Sequence, residues 1–256
     1  MNGVTSFGSA LARVAQGLAE LVFPPRCYGC GRASSSPLCP TCLEAMPRVG
    51  EPGCPICGLP ETSDSPRKVV TRCGACRLRK PRFDVVRSFA PYAGLVGECI
   101  RKFKYRRKKR LGVVLGQILA EHLRSHPELA SLREVDQVIA VPLHRFRARL
   151  RGFNQSELLA IPVRRQLGVE ASENALIRVR NNPKQVGLPF KKRWENVKGA
   201  FAVKNPEAVK GKKILLVDDV MTSGATLNEC AKVLKKAGAA KVYGLTLTRQ
   251  IERYPG

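Results

Sequence analysis

Two adjacent carboxylates and a set of small, hydroxylated residues stand together in ILLVDDVMTSGAT, residues 214–226. An apolar run that reads as a strand ends at Asp218 and Asp219, and Met221, Thr222, Ser223, Gly224, Ala225 and Thr226 turn the chain into what reads as a helix. Backbone N–H groups at a helix start, with the hydroxyls of Thr222, Ser223 and Thr226, can hold a phosphate without a lysine. Gly224 permits close backbone approach. Two acids beside a phosphate repel it unless they face another part of the same ligand. A ribose 5-phosphate meets both demands, its phosphate in the turn and its 2- and 3-hydroxyls on Asp218 and Asp219.

A second chemistry lies nearer the N-terminus. Eight of the ten cysteines form the pairs Cys27/Cys30, Cys39/Cys42, Cys54/Cys57 and Cys73/Cys76. Nothing in the sequence indicates secretion, so a disulfide framework is not expected. Each C-x-x-C turn places two thiolates on one side of a tetrahedral ion, and two such turns close a zinc site. Four pairs therefore supply two structural four-cysteine sites, with consecutive and interleaved pairing both open. The neighbouring Gly and Pro residues suit tight turns whose N–H groups donate to sulfur. Segment 23–78 is poor in large apolar side chains, so metal is expected to hold it folded. Cys99 and Cys230 sit on apolar helical stretches and read as buried, inert thiols.

Forty-five Lys and Arg against twenty Asp and Glu give a net charge of +25, a field that attracts polyanions without choosing among them. The hydrophobic fraction of 44% is enough for a sizeable core. Apolar runs stop well short of the roughly 18 residues that span a bilayer. The N-terminus lacks a basic n-region, and Arg13, Gln16 and Glu20 interrupt any signal-like core. Leu11, Val14, Leu18 and Leu21 instead give residues 9–22 one apolar helical face, to be packed on the protein or laid on a membrane surface.

Residues 101–110, RKFKYRRKKR, interleave two aromatics with eight cations. Arg101, Lys102, Phe103, Lys104, Tyr105, Arg106, Arg107, Lys108, Lys109 and Arg110 read either as a single-stranded nucleic-acid patch, with rings stacking on bases, or as a solvated helix face.

These residues need elements to position them. From Phe83 onward, strands at 84–92, 137–143, 212–219 and 241–248 alternate with helices. Leu111, Val114, Leu115, Ile118, Leu119 and Leu123 mark one helix face; Leu227, Cys230, Ala231 and Leu234 mark another. A helix over 154–168 has Asn154 as N-cap, and Pro162 should kink it or end its first half. The alternation predicts an α/β fold, a mostly parallel sheet covered by helices with ligands at the carboxyl ends of strands. Domain limits are expected at 1–22 for the amphipathic helix, 23–80 for a double zinc ribbon and 81–256 for the α/β domain.

ILLVDDVMTSGAT resembles the phosphoribosyl pyrophosphate (PRPP) motif of type I phosphoribosyltransferases. FPPRCYGCG and the other cysteine pairs, VPLHRFRARLRGFNQSELLA (141–160) and KQVGLPFKKRWENVKGAF (184–201) are similar, in this order, to the ComF family of competence-associated phosphoribosyltransferase-like proteins. The likeness spans nearly the whole chain. It implies that Asp218 and Asp219 meet the ribose hydroxyls of PRPP and that residues 222–226 bind its 5-phosphate. Val141, Pro142, Leu143, His144 and Arg145 then match the pyrophosphate loop, and residues 180–196, carrying Lys184, Gln185, Lys191, Lys192 and Arg193, match the flexible lid.

Transfer from PRPP breaks the bond from ribose C1 to pyrophosphate, so cations near the leaving group stabilise the charge that develops there. Arg145, Arg147, Arg149 and Arg151 are candidates, with Mg²⁺ bridging pyrophosphate and ribose oxygens. Asp219 is taken, by position, as the general base; His144 reads as a loop residue or a base; Asn154 and Gln155 cap the helix or orient the loop. The resemblance implies PRPP, single-stranded DNA and the DNA-uptake machinery as partners, a cytoplasmic location at most peripheral to the inner face of the membrane, and an unnamed acceptor. The alternative is a non-catalytic DNA-binding accessory protein that uses the pocket as a sensor.

Overall fold

Strands form where apolar residues run on without polar alternation, as chains buried on both faces require. The computed structural model describes residues 24–50, 53–60, 71–105, 108–171, 175–182 and 189–251, so the expected helix at 9–22 lies outside it. In chain order the elements are α1 (Pro40–Glu44), α2 (Gly74–Arg79), β1 (Val85–Pro91), α3 (Gly94–Tyr105), α4 (Lys109–Ser125), α5 (Ala130–Arg133), β2 (Gln137–Ala140), α6 (Arg145–Arg151), α7 (Gln155–Leu167), β3 (Leu176–Arg178), α8 (Phe190–Val197), β4 (Phe201–Val203), β5 (Lys213–Met221), α9 (Ala225–Lys236) and β6 (Lys241–Arg249). The main sheet has the order β1-β6-β5-β2, with every pair parallel. β3 and β4 form a small antiparallel ribbon.

The chain divides into two compact units, Met1–Met46 and Pro47–Gly256. The first cysteine quartet therefore belongs to one unit, and the second shares a unit with the sheet. Cys54, Cys57 and Cys76 lie in one buried cluster with Phe83, Val86, Met221 and Leu227.

Ile214, Leu215, Leu216 and Val217 are fully buried at the centre of the sheet. Leu111, Leu115, Leu119 and Leu123 are fully buried along one face of α4, as their spacing predicts. Cys99 and Cys230 are buried too. Pro162 does not end its helix: α7 runs unbroken from Gln155 to Leu167. Pro162 leaves the Leu158 carbonyl without its helical donor, and that carbonyl faces Gly116 of α4. A Cβ on Gly116 would stand 2.9 Å from the Leu158 oxygen and 3.0 Å from Pro162 Cγ, so the glycine leaves room for the irregular turn.

Phe103 corrects the reading of residues 101–110 as one surface patch. Val96, Cys99, Ile100 and Phe103 form the fully buried face of α3, and the Phe103 ring packs 5.6 Å from that of Phe153. Phe103 is therefore a core residue and offers no face for a base. Arg101, Lys108, Lys109 and Arg110 are exposed, whereas Arg106 and Arg107 lie outside the described residues, as does the Tyr105 side chain.

Candidate functional site

β5 delivers Asp218 and Asp219 to the carboxyl end of the sheet, and the chain then turns into α9. Gly224 caps that helix with φ +75°, a left-handed conformation that explains its place in the turn. Together these residues form one wall of a cavity of about 360 Å³, within the range of small-molecule sites. Thr222, Gly224, Ala225 and Thr226 line it beside both carboxylates, and Val141, Pro142 and Leu143 line the wall below β2. Ser223 faces another way, towards Phe83 and the second cysteine quartet.

The two carboxylates have different surroundings. Asp218 is half-buried and accepts from Ser156 Oγ at 2.8 Å and from the Asp219 N–H at 2.9 Å. Burial, aided by the neighbouring Asp219 charge, pushes its pKa up to about 7, against the pull of the Ser156 hydrogen bond and the Lys104 charge. Asp219 is buried and pairs with Lys104 Nζ at 2.9 Å. Burial alone would depress the Lys104 ammonium, yet the Asp219 charge and hydrogen bond hold its pKa above that of free lysine.

Guanidinium groups line the same cavity. The segment RFRARLR folds as the helix α6, so its arginines divide with helical period. Arg147 and Arg151, four residues apart, face the cavity; Arg145 and Arg149 are exposed. Of the four arginines expected at the pyrophosphate, two thus line the cavity. Arg147 donates to the Asn182 carbonyl, and Arg151 donates to Gln155 Oε1 at 2.9 Å. Arg178 of β3 and Arg193 of α8 complete the basic lining.

Asn154 both caps and orients. Its Oδ1 accepts from the Ser156 N–H at 3.3 Å, while its Nδ2 donates to the Val141 carbonyl at 3.1 Å, tying α7 to the loop after β2. His144 caps α6 by accepting from the Phe146 N–H at 3.3 Å and does not line the cavity. The second half of the expected lid is the helix α8, which carries Arg193 inward and Lys192 outward; Lys184 and Gln185 lie outside the described residues, as does the Lys191 side chain. Tyr92, Lys104, Arg178 and Gln250 also line the cavity. None was proposed there from sequence, because each is distant along the chain from the β5 motif.

The cysteines form two consecutive quartets, Cys27, Cys30, Cys39, Cys42 and Cys54, Cys57, Cys73, Cys76, with the four sulfurs of each within 4.8 Å of one another. Interleaved pairing is thereby excluded. A tetrahedron of Zn–S bonds has edges of about 3.8 Å, and the Cys30–Cys39 and Cys57–Cys73 sulfurs are both 3.7 Å apart. The Gly29 and Cys39 N–H groups each donate to Cys27 Sγ at 3.3 Å, as zinc-bound thiolates require. Arg32 beside Cys30 draws that thiol down to about 6, whereas burial pushes Cys42 up to about 12.

The second quartet is fastened to the sheet. Arg249 of β6, buried, donates to the Cys57 carbonyl at 2.6 Å, the Val86 N–H to the Ile56 carbonyl at 2.7 Å, and Arg87 to the Pro55 carbonyl at 3.1 Å. At the end of α2 the Arg79 guanidinium lies 4.9 Å above the Trp194 ring of α8.

Comparison with known proteins finds two domains along the chain, the first of which spans the boundary between the two compact units. Residues 18–77 match the double zinc ribbon domain and residues 109–255 the phosphoribosyl transferase domain. The DNA utilization protein YhgH of Shigella flexneri is 34% identical over 214 residues, 84% of this chain and 91% of that protein. Competence protein F of Haemophilus influenzae is 29% identical over 87% of this chain and 95% of its own length. Among solved structures, the glutamine PRPP amidotransferase of B. subtilis shares 22% identity with a TM-score of 0.34; the match covers 53% of this chain and 25% of that one. Both domains and the alignment over most of either chain make this protein a member of the ComF family, which joins a double zinc ribbon to a phosphoribosyltransferase-type domain.

Proposed function

We propose that the cavity binds PRPP and that the protein transfers its phosphoribosyl group to an acceptor, releasing pyrophosphate. The observation that carries this reading is the separation of charge in one cavity: two carboxylates and the turn of Thr222, Gly224, Ala225 and Thr226 on the β5 wall, with Arg147, Arg151, Arg178 and Arg193 around the rest. In this reading the 5-phosphate enters the turn at residues 222–226 and the ribose diol meets Asp218 and Asp219. The four guanidiniums take the pyrophosphate, where negative charge grows as the bond to C1 breaks. Arg193, on α8, belongs to the segment that closes over the donor and excludes water.

Asp218, rather than Asp219, is the acid suited to proton transfer, because Lys104 already engages Asp219. Mg²⁺ fits this cavity as an ion held by PRPP oxygens and water, since both carboxylates have protein partners, and it would neutralise pyrophosphate charge when bound. The names of the relatives, DNA utilization protein and competence protein, support a cytoplasmic role in DNA handling, with single-stranded DNA and the uptake machinery as partners. No described helix is long and apolar enough to cross a membrane.

Titration calorimetry with PRPP and Mg²⁺ tests the binding. Wild-type protein should bind, and the double variant Asp218→Asn, Asp219→Asn should not. Pyrophosphate release across nucleobases, amines and DNA then tests turnover. The engaged state of Asp219 favours a second reading, in which the pocket senses PRPP without consuming it; binding with release that never exceeds background across those acceptors supports that reading instead.

A further inference from the structure

Lys104 stands in the sequence as one of eight cations in RKFKYRRKKR, yet the fold separates it from them. Its neighbour Phe103 is anchored in the core, which turns residue 104 towards the carboxyl end of β5. The Lys104 side chain is only 20% exposed, lines the same cavity as the phosphate turn, and ends 2.9 Å from Asp219 Oδ1. A lysine so placed loses much of its hydration, and a buried ion is tolerated when a partner of opposite charge lies in contact. The other charges facing it are Asp218, which attracts it, and Arg151, which repels it.

We infer that Lys104 is a positioning residue of the ribose subsite: it fixes the Asp219 carboxylate in one orientation, so that an incoming diol meets a preset acceptor. This rests on the PRPP reading above. A preset acceptor discriminates, because a site built around a hydroxyl rejects the analogue that lacks it. Without Lys104, Asp219 is free to rotate or to leave the cavity wall, and that discrimination fades while the phosphate turn remains.

The test compares ribose 5-phosphate, 2-deoxyribose 5-phosphate and inorganic phosphate by calorimetry on the full-length zinc-loaded protein. Wild type should prefer ribose 5-phosphate over its deoxy analogue by about tenfold, the worth of one hydrogen bond to a charged group. Lys104→Met should bring that ratio close to one and leave the affinity for inorganic phosphate within about twofold, whereas Lys104→Arg should retain most of the preference. Because Lys104→Met leaves Asp219 buried without its partner, the double variant Lys104→Met, Asp219→Asn removes both charges and guards against misfolding. Adding Lys104→Met to Asp219→Asn should change the ratio no further. An unchanged ratio in Lys104→Met overturns the assignment and spares the PRPP reading. Wild type that binds neither sugar phosphate nor PRPP overturns both.

Discussion

Replacing Asp218 by Asn should make the protein more stable at neutral pH while it weakens PRPP binding. The folded-state pKa of Asp218 is about 7 against an ordinary value of 3.8, because burial and the Asp219 charge disfavour its ionised form. Between those values the native state binds the proton that the unfolded chain releases, so stability falls as pH rises through the window from about 4 to 7. A shift of about 3 units at about 1.4 kcal/mol each costs roughly 4 kcal/mol above pH 7. Asn keeps an acceptor for Ser156 Oγ and the Asp219 N–H, bonds already counted in the raised pKa, but it brings an amide donor to a place where the acid has an oxygen, which takes back roughly 1–2 kcal/mol. The net gain at pH 8 is about 2–3 kcal/mol, or a rise in Tm of about 4–12 °C for a unit of this size. Thermal unfolding of wild type and variant from pH 4 to pH 8 gives the test. A variant no more stable than wild type at pH 8 would refute the reasoning, as would a gap that stays constant down to pH 4.

The two cysteine quartets should differ in consequence. Cys73→Ser with Cys76→Ser should lower zinc by about one equivalent per chain and abolish PRPP binding, because Cys57 and its carbonyl brace Arg249 beside the phosphate turn. Cys39→Ser with Cys42→Ser should lower zinc equally and leave the melting of the sheet unit in place, since that quartet lies in the other compact unit; metal analysis with calorimetric melting checks both. Arg147→Ala and Arg151→Ala should each weaken pyrophosphate binding about tenfold or more, whereas Arg145→Ala and Arg149→Ala, at exposed positions, should leave it within about twofold; titration with pyrophosphate decides.

The parts of the site that could be read from sequence are those whose chemistry is contiguous. Residues 214–226 carry strand, acids and turn in one run, and each C-x-x-C holds half of a metal site within four residues. Side-chain direction was harder to read. Charge alone groups Lys104 with its neighbours, although the apolar spacing of Val96, Cys99, Ile100 and Phe103 already marks a buried face one residue away. The four arginines of RFRARLR alternate along the chain, so only the helical period of α6 separates Arg147 and Arg151 from the rest. Arg178, Tyr92 and Gln250 carry no local signal. The fold brings them to the cavity: β6 lies beside β5 and β1 beside β6, so Gln250 and Tyr92 follow strands that end at the same edge, and Arg178 comes from the β3-β4 ribbon. That the helix continues past Pro162 has no local signal either, because Gly116, which packs against that turn, sits on another helix.

The unequal carboxylates have a consequence for ligand binding. An acid with a pKa near 7 beside a lysine and four guanidiniums is held back chiefly by lost hydration, so a ligand that donates hydrogen bonds to it replaces what burial removed. A ribose diol does so and favours the ionised form, which makes PRPP binding release a proton from Asp218. Affinity should then fall as pH drops below about 7, by up to about tenfold per unit, until Asp218 is protonated in the complex as well. Phosphate groups on PRPP titrate near pH 6 themselves, so PRPP binding to Asp218→Asn, which meets the same phosphates and lacks the acid, sets their share. Calorimetry in two buffers of different ionisation enthalpy measures the difference. At pH 6.5, wild type should release several tenths of a proton beyond that baseline. An equal release from wild type and variant would mean that the diol does not meet Asp218, and the assignment of the ribose to the β5 wall would fail with it.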